Sequence, residues 1–377
     1  MKKSISLFFS VIVLASSAYS VNTASIESIR SRTATSGAEL SDSDIAEIAK
    51  FWQTAMDQML LAETSQEVVD VRRQLEKQEG TEHLSYYAAA YITQAQKSIQ
   101  TAFENTTHIE DTQQRQIINR NLMILTGNLK SPKLASLAID RLDFDDSVVQ
   151  YWAVKSLTQP AVVNQLTDEV TQDETQTATI LNALKGLVTR GTSPEIRHMV
   201  VRFCMSFDSP TAQEILLLIA SKRVEAYQQW NVGDVQPDVQ LLAALGGSAM
   251  LKQDPQIKQN FGRAFAELFA MAIQRYWMGV QMLSDDEIDQ MKTVIAATDQ
   301  NVLEKTMGIR TGILQAIRTS NIPVLKREFE TLLGNRIRQG KLAESLNFNY
   351  GKDTAGKTLT APPELSPMPV DQTENTD

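Results

Sequence analysis

The sequence predicts an all-α protein, an α-solenoid of about seven stacked antiparallel helix pairs, and three observations point there. From Ser41 onward apolar residues recur at three and four, as in Ile45, Ile48, Ala49, Trp52, Met56, Met59 and Leu60. That spacing turns one face of a helix into a core. No stretch alternates as a half-buried strand would, and glycine is sparse, at 16 of 377 residues. Pairing consecutive helices gives units that begin near 42, 82, 131, 172, 209, 256 and 301, at intervals of 40, 49, 41, 37, 47 and 45 residues. A lone amphipathic pair cannot bury its apolar face, so stacked neighbours would supply the rest of the core.

Residues 1–20, MKKSISLFFSVIVLASSAYS, have the order of a secretory signal peptide: Lys2 and Lys3, an uncharged apolar stretch from Ile5 to Ala15, then small residues. The apolar stretch is too short for a permanent span, which needs roughly 20 residues. The expectation is an exported protein, most simply periplasmic, with no transmembrane span after cleavage. Residues 21–40 read as a Ser/Thr-rich linker or a weak helix, residues 41–345 as the helical repeat domain, and residues 346–377, with Pro362, Pro363, Pro367 and Pro369, as a disordered Pro-rich tail.

Helix starts are well marked. Ser41-x-x-Asp44, Thr64-x-x-Glu67 and Ser284-x-x-Glu287 read as capping boxes. Ser131-Pro132, Ser193-Pro194 and Ser209-Pro210 place a capping hydroxyl before a proline at the first helical position. In RLDFDDSVVQYWAVKSL, Arg141 to Leu157, three carboxylates (Asp143, Asp145, Asp146) precede an apolar run. Asp143 and Asp145 supply only the opening of a calcium-loop pattern, since Ser147 and Val148 follow at once. Carboxylates beside a helix N-terminus gain from its dipole, so the cluster reads as a cap. Val148, Val149, Trp152, Ala153 and Leu157 are expected to face inward.

This stretch resembles the second-helix signature of HEAT repeats: an acidic turn, two apolar residues, an aromatic or Ala position and a terminal Leu. The resemblance covers one unit, Ser131 to Leu157, and rests on spacing elsewhere, where intervals of about 40–47 residues suit HEAT and armadillo solenoids. Gln150 stands where many such repeats carry Arg. Tetratricopeptide repeats, the rival, have a unit of about 34 residues. YYAAAYITQAQ from Tyr86 shares their small-residue character, but their Trp, Gly and Pro positions do not recur.

Sequence chemistry for catalysis is thin. Cys204 is the only cysteine and sits in the apolar stretch MVVRFCMSF, so it reads as a small buried hydrophobe, and no intramolecular disulfide can form. The histidines are His83, His108 and His198, with neither HExxH nor a CxxC pair to build a zinc site. Some HEAT-like proteins are enzymes, among them a diiron hydroxylase with repeated His-Glu pairs, but this chain has only the reversed Glu82-His83. Glu110 and Asp111 read as the cap of the helix that follows His108. No GxSxG elbow, Walker loop or GxGxxG is present, and LGGSAM, Leu245 to Met250, reads as a helix end. No cofactor and no metal are expected.

Without Lys2 and Lys3, 34 basic residues face 45 acidic ones, and the formal charge of −9 becomes −11. That balance argues against nucleic acid as a partner. Against it, residues 301–341 carry eight basic residues and three acids. Arg318, Lys326, Arg327, Arg336 and Arg338 are the candidate face for an acidic protein or another anionic envelope component. The function this suggests is a scaffold or adaptor that binds a protein or envelope component through its solenoid surface. The alternative is an all-helical exported enzyme acting on polysaccharide through paired carboxylates in an aromatic-walled cleft.

Overall fold

The computed structural model describes residues 23–37, 39–79 and 85–368. The signal segment 1–20, Glu82-His83 and residues 369–377 lie outside the described residues. Within them every regular element is helical, and β-structure is limited to two isolated antiparallel bridges, Gly334 with Gln339 and Lys352 with Thr358. The chain divides into two compact units at Leu129/Lys130.

The first unit holds α1 (Ala24–Ser36), α2 (Asp42–Leu61), α3 (Ser65–Lys77), α4 (Tyr86–Asn105) and α5 (Thr112–Asn128). Helix α2 lies against α3 and α4, and α3 against α5. The core is aromatic. Trp52 is fully buried with its ring 5.0 Å from that of Tyr91, and Tyr87 stacks on Tyr91 at 5.6 Å. Both phenols stay satisfied, since Tyr91 donates to the Leu75 carbonyl at 2.6 Å and Tyr87 to that of Gln78 at 2.8 Å. The segment expected as a Ser/Thr-rich linker, 21–40, contains α1. Ile26 and Ile29 are buried, and Arg30 donates to the Lys77 carbonyl at 2.9 Å. Two apolar residues on one turn suffice to dock a polar helix that has little amphipathic signal of its own.

The second unit holds α6 (Ala135–Ile139), α7 (Ser147–Thr158), α8 (Pro160–Thr167), α9 (Glu174–Arg190), α10 (Pro194–Cys204), α11 (Pro210–Gln228), α12 (Gln236–Leu251) and α13 (Pro255–Gly279). It continues with α14 (Asp285–Thr298), a π-helical turn at Asp299–Glu304, α15 (Ile313–Arg318), α16 (Ile322–Leu333) and α17 (Lys341–Leu346). Helices two apart in sequence pack together: α9 with α11, α10 with α12, α11 with α13 and α12 with α14. Helix α13 is the centre of the unit, with Phe261, Phe265 and Phe269 fully buried along it.

Caps behave as their local chemistry dictates. All three capping boxes form, and Ser193 and Ser209 accept from the third backbone amide of their helices. Ser131 makes no such bond and precedes only a 3-10 turn. Asp146 accepts from the Val148 and Val149 amides, Asp111 caps α5, and Asp143 pairs with Arg190. In α7 the inward face is rotated from expectation. Val149, Ala153, Val154 and Leu157 are buried, whereas Val148 is 37% exposed and Trp152 only half-buried beneath Lys155 at 4.0 Å. One position on a helix is about 100°, so the stripe Val149–Ala153–Leu157 turns Val148 and Trp152 off the core. Gln150 donates to the Leu142 carbonyl at 2.8 Å and ties the turn back to its helix.

Two other expectations change. Gly246 and Gly247 fall inside α12 rather than at its end, and at Gly246 a Cβ would strike Val302 and crowd Met307. The glycine allows close approach by the π-helical turn. Residues 347–368, expected as disordered, are fixed: Phe348, Tyr350, Pro362 and Leu365 are buried. Gln274 on α13 donates to the Pro363 carbonyl at 2.9 Å and accepts from the Leu365 amide at 2.8 Å. Trp230 donates from Nε1 to the Ser366 carbonyl at 2.8 Å. Proline stiffens the segment, and main-chain bonds to buried side chains hold it in place.

Helix α13 also carries a titration signal. Burial pushes the Glu267 carboxyl from its usual 4.5 up to about 6, against a smaller opposing pull from Arg263. A carboxyl raised in the folded state contributes stability below pH 4.5 that is lost as pH rises to about 6, roughly 2 kcal/mol in all. Glu267→Gln is expected to remove this fall from urea-unfolding curves measured between pH 4 and 7. An unchanged slope would assign the titration elsewhere.

Candidate functional site

The second unit has a groove of about 570 Å³ bounded by α13, α16, the 334–339 turn and the 361–365 segment. Trp277 and Phe329 form its aromatic wall, ring centroids 4.9 Å apart and nearly perpendicular, with Met278, Pro362 and Leu365 alongside. Trp277 is half-buried, one position beyond the buried Tyr276 on α13, with Phe329 and Lys326 of α16 against its ring.

The turn at the groove's edge has the sequence GNRIRQG, Gly334 to Gly340. Asn335 Oδ1 accepts from the amides of Ile337 and Arg338 at 3.0 and 2.9 Å, the side-chain turn that asparagine forms readily. At the base, Gly334 has φ +101°, and a Cβ on Gly340 would collide with the backbone of Gly334, Leu333 and Leu332. Fixed at both ends, the turn holds Ile337 92% exposed beside the groove. Ile337 shares one lining with Trp277, Met278, Phe329 and Pro362, so it belongs to a contiguous apolar patch rather than standing alone on the surface.

Lys326 and Arg336 are the two expected basic residues that the fold brings into this groove. Arg318 ends α15, and Arg327 and Arg338 follow lining residues in sequence; all three are exposed, and none lines the groove. Lys326 lies 5.7 Å above the Trp277 ring. Arg336 grips Glu364 through two bonds, 3.1 and 2.9 Å, and Glu364 holds the guanidinium above its ordinary range. Glu330 also lines the groove and accepts from Asn335 at 3.4 Å. Two cations thus meet two carboxylates, and the surface is an apolar groove with a balanced rim rather than a cationic face. Its apolar part had one sequence signal: an isoleucine between two arginines in a glycine-flanked turn.

Glu330 and Glu364 are exposed, without the apolar burial that a general acid draws on. Deeper in, Asp299 accepts from Thr311 Oγ1 at 2.5 Å and from the Leu314 amide at 3.1 Å, and Glu328 from the Gly312 amide at 3.0 Å. Burial first of all, and then Glu304 and Glu328, push the Asp299 carboxyl up. Both side chains are engaged in fixing the 311–314 turn. Cys204 is buried, and burial pushes its thiol up to about 12. Among the described residues no group of three or more His, Cys, Asp or Glu could hold a metal ion, and no helix is long and apolar enough to cross a membrane.

Above α13 the 229–235 loop is held by charge. Arg223 on α11 bonds Asp238 on α12 through Nε at 2.7 Å and Nη2 at 2.6 Å, and Tyr227 donates to the same carboxylate at 2.9 Å. Arg223 also reaches the Val232 carbonyl at 2.6 Å. Arg275 bonds the Trp230 carbonyl and Glu287, and its guanidinium lies 5.3 Å above the Trp230 ring. Trp230, at φ +58°, is therefore fixed from both sides, and through its indole it anchors the C-terminal segment that floors the groove. Neither a known protein family nor a curated protein matches the chain.

Proposed function

We propose that this chain is an exported helical-repeat scaffold that receives an apolar-anchored segment of a partner protein in the groove beside Ile337. The observation that carries the reading is Ile337 itself, 92% exposed on a turn pinned at both ends, next to a groove walled by Trp277 and Phe329. Exposed aromatic and aliphatic anchors on rigid supports are where binding energy concentrates, because little side-chain entropy is lost on contact. The packing of α9 with α11, α10 with α12 and α11 with α13 supports a HEAT-like succession of helix pairs. Export rests on the signal pattern in residues 1–20.

The test is capture from the native envelope with the full mature chain, comparing wild type with Ile337→Asp and Trp277→Ala. Losing a central anchor costs about 2 kcal/mol or more, so recovery of the specific partner should fall by at least about tenfold in each variant. Ile337→Asp alters only an exposed side chain, so its circular dichroism and melting should match wild type. A partner set recovered equally by all three proteins would overturn the assignment of the groove.

A further inference from the structure

The groove continues a seat that the chain already fills with a segment of its own. Residues 361–366, Ala-Pro-Pro-Glu-Leu-Ser, belong to no helix and lie as a strap against α13. Proline fixes φ near about −65° and pushes the residue before it out of the α region, so Ala361 and Pro362 take the extended, polyproline-type backbone. Side chains read that backbone: Gln274 bonds the Pro363 carbonyl and the Leu365 amide, and Trp230 bonds the Ser366 carbonyl. Pro362 and Leu365 are buried, yet both share the groove's lining with Trp277. Apolar walls for the rings and a few side-chain donors for the carbonyls are the means by which proteins hold proline-rich peptides. The chain thus shows, on its own residues, which kind of peptide this surface fits.

The strap also limits how a second segment could lie beside it. Pro362 and Pro363 have no N–H, and the Leu365 amide is committed to Gln274. A partner strand therefore cannot ladder against residues 362–365, and recognition falls to the side chains of the groove. Trp277 and Phe329 stand 4.9 Å apart with their rings at 78°, a notch that suits a compact, rigid pyrrolidine. Among the described residues nothing accepts from the Trp277 indole N–H, which is left for water or for the carbonyl of a bound chain. The balanced rim, Lys326 and Arg336 against Glu330 and Glu364, asks no net charge of the ligand. A polyproline-type segment is also preformed, so it loses little entropy on binding.

We infer that the segment received by the groove is an extended, proline-rich stretch of the partner, laid against Trp277 and Phe329 between Ile337 and the chain's own strap. The inference rests on the groove being the binding surface, and adds the chemistry of what enters it.

Peptide titrations of the full mature chain test this, followed by calorimetry and by the indole N–H resonances of its four tryptophans. The probes are a proline decapeptide, the peptide TAPPELSPMP that copies the strap, the same peptide with alanine for every proline, and an amphipathic helical peptide. At least one of the two proline peptides should bind saturably and move the Trp277 resonance, identified by its loss in Trp277→Phe. The Trp230 resonance, already bonded to Ser366, should stay in place. Alanine for proline should weaken binding at least about tenfold, as should Trp277→Ala and Ile337→Asp in the protein. Ile337→Asp, which alters only an exposed side chain, decides the matter if Trp277→Ala does not fold. No saturable response to either proline peptide, equal or tighter binding of the alanine or helical peptide, or a moving Trp230 resonance, which would mean that the strap itself is displaced, would each overturn the inference. A partner captured through Ile337 that carries no proline-rich stretch would also overturn it while leaving the scaffold reading intact. Proline-peptide binding at Trp277 with no Ile337-dependent capture would do the reverse.

Discussion

Asp238→Asn is expected to destabilise the second unit by about 3–5 kcal/mol, the loss typical of removing one partner from a buried ion pair. The side chain of Asp238 is fully buried and that of Arg223 is 4% exposed, so no water replaces the missing charge. The asparagine would keep one acceptor oxygen where two now serve Arg223 and Tyr227, and its NH2 would face a guanidinium. Urea unfolding followed by circular dichroism should show the transition moved to lower denaturant with an unchanged slope. The double variant Arg223→Met, Asp238→Leu should recover more than half of the loss, since an apolar pair of similar volume carries no desolvation cost. A single-variant loss below about 1 kcal/mol would place the pair in the weak class of hydrated surface bridges.

Gly340→Ala should cost about 2–4 kcal/mol, felt in the turn at the groove's edge and in the C-terminal segment beside it. The added methyl meets main-chain atoms of Leu332, Leu333 and Gly334, which cannot rotate away as a side chain could. The turn must therefore shift, and beneath it a Cβ on Gly334 would already strike the Thr360 carbonyl, so no slack exists on that side. Hydrogen exchange reads this out directly: the Leu365 amide, bonded to Gln274, should lose at least about tenfold of its protection. The same amide should be unchanged in Ile337→Asp, which leaves the turn's backbone alone. Wild-type protection in Gly340→Ala would mean the turn and the C-terminal segment move independently.

What could be read in the sequence was what a few neighbouring residues decide. Ser41 with Asp44, Thr64 with Glu67 and Ser284 with Glu287 start helices because all the partners lie within one turn. The all-helical class follows from the same local order. The face of α7 was harder to read, because Val148 and Val149 are equally apolar and only the neighbouring helices choose between them. Gly246 resembles a helix end until Val302, 56 residues away, presses against it. The C-terminal prolines suggest disorder until Gln274 and Trp230 supply bonds from 89 to 136 residues distant. For the candidate sites the same limit holds. Lys326 and Arg336 were visible as charge, but Trp277 gave no sign of the groove.

The anchoring of residues 347–368 also sets an order of events. The bonds from Trp230 to Ser366 and from Gln274 to Leu365 close loops of 136 and 91 residues, among the longest connections in the unit. Loop closure of this length adds little to the equilibrium cost but is slow to find, so such contacts form late. As the chain emerges, α13 and the 229–235 loop must fold and wait, their indole and carboxamide still served by water. Only when Ser366 has been made can the groove acquire its floor. The groove is thus the last feature the chain acquires, and a molecule stalled short of that point would present a folded helical body in which this surface is still unformed.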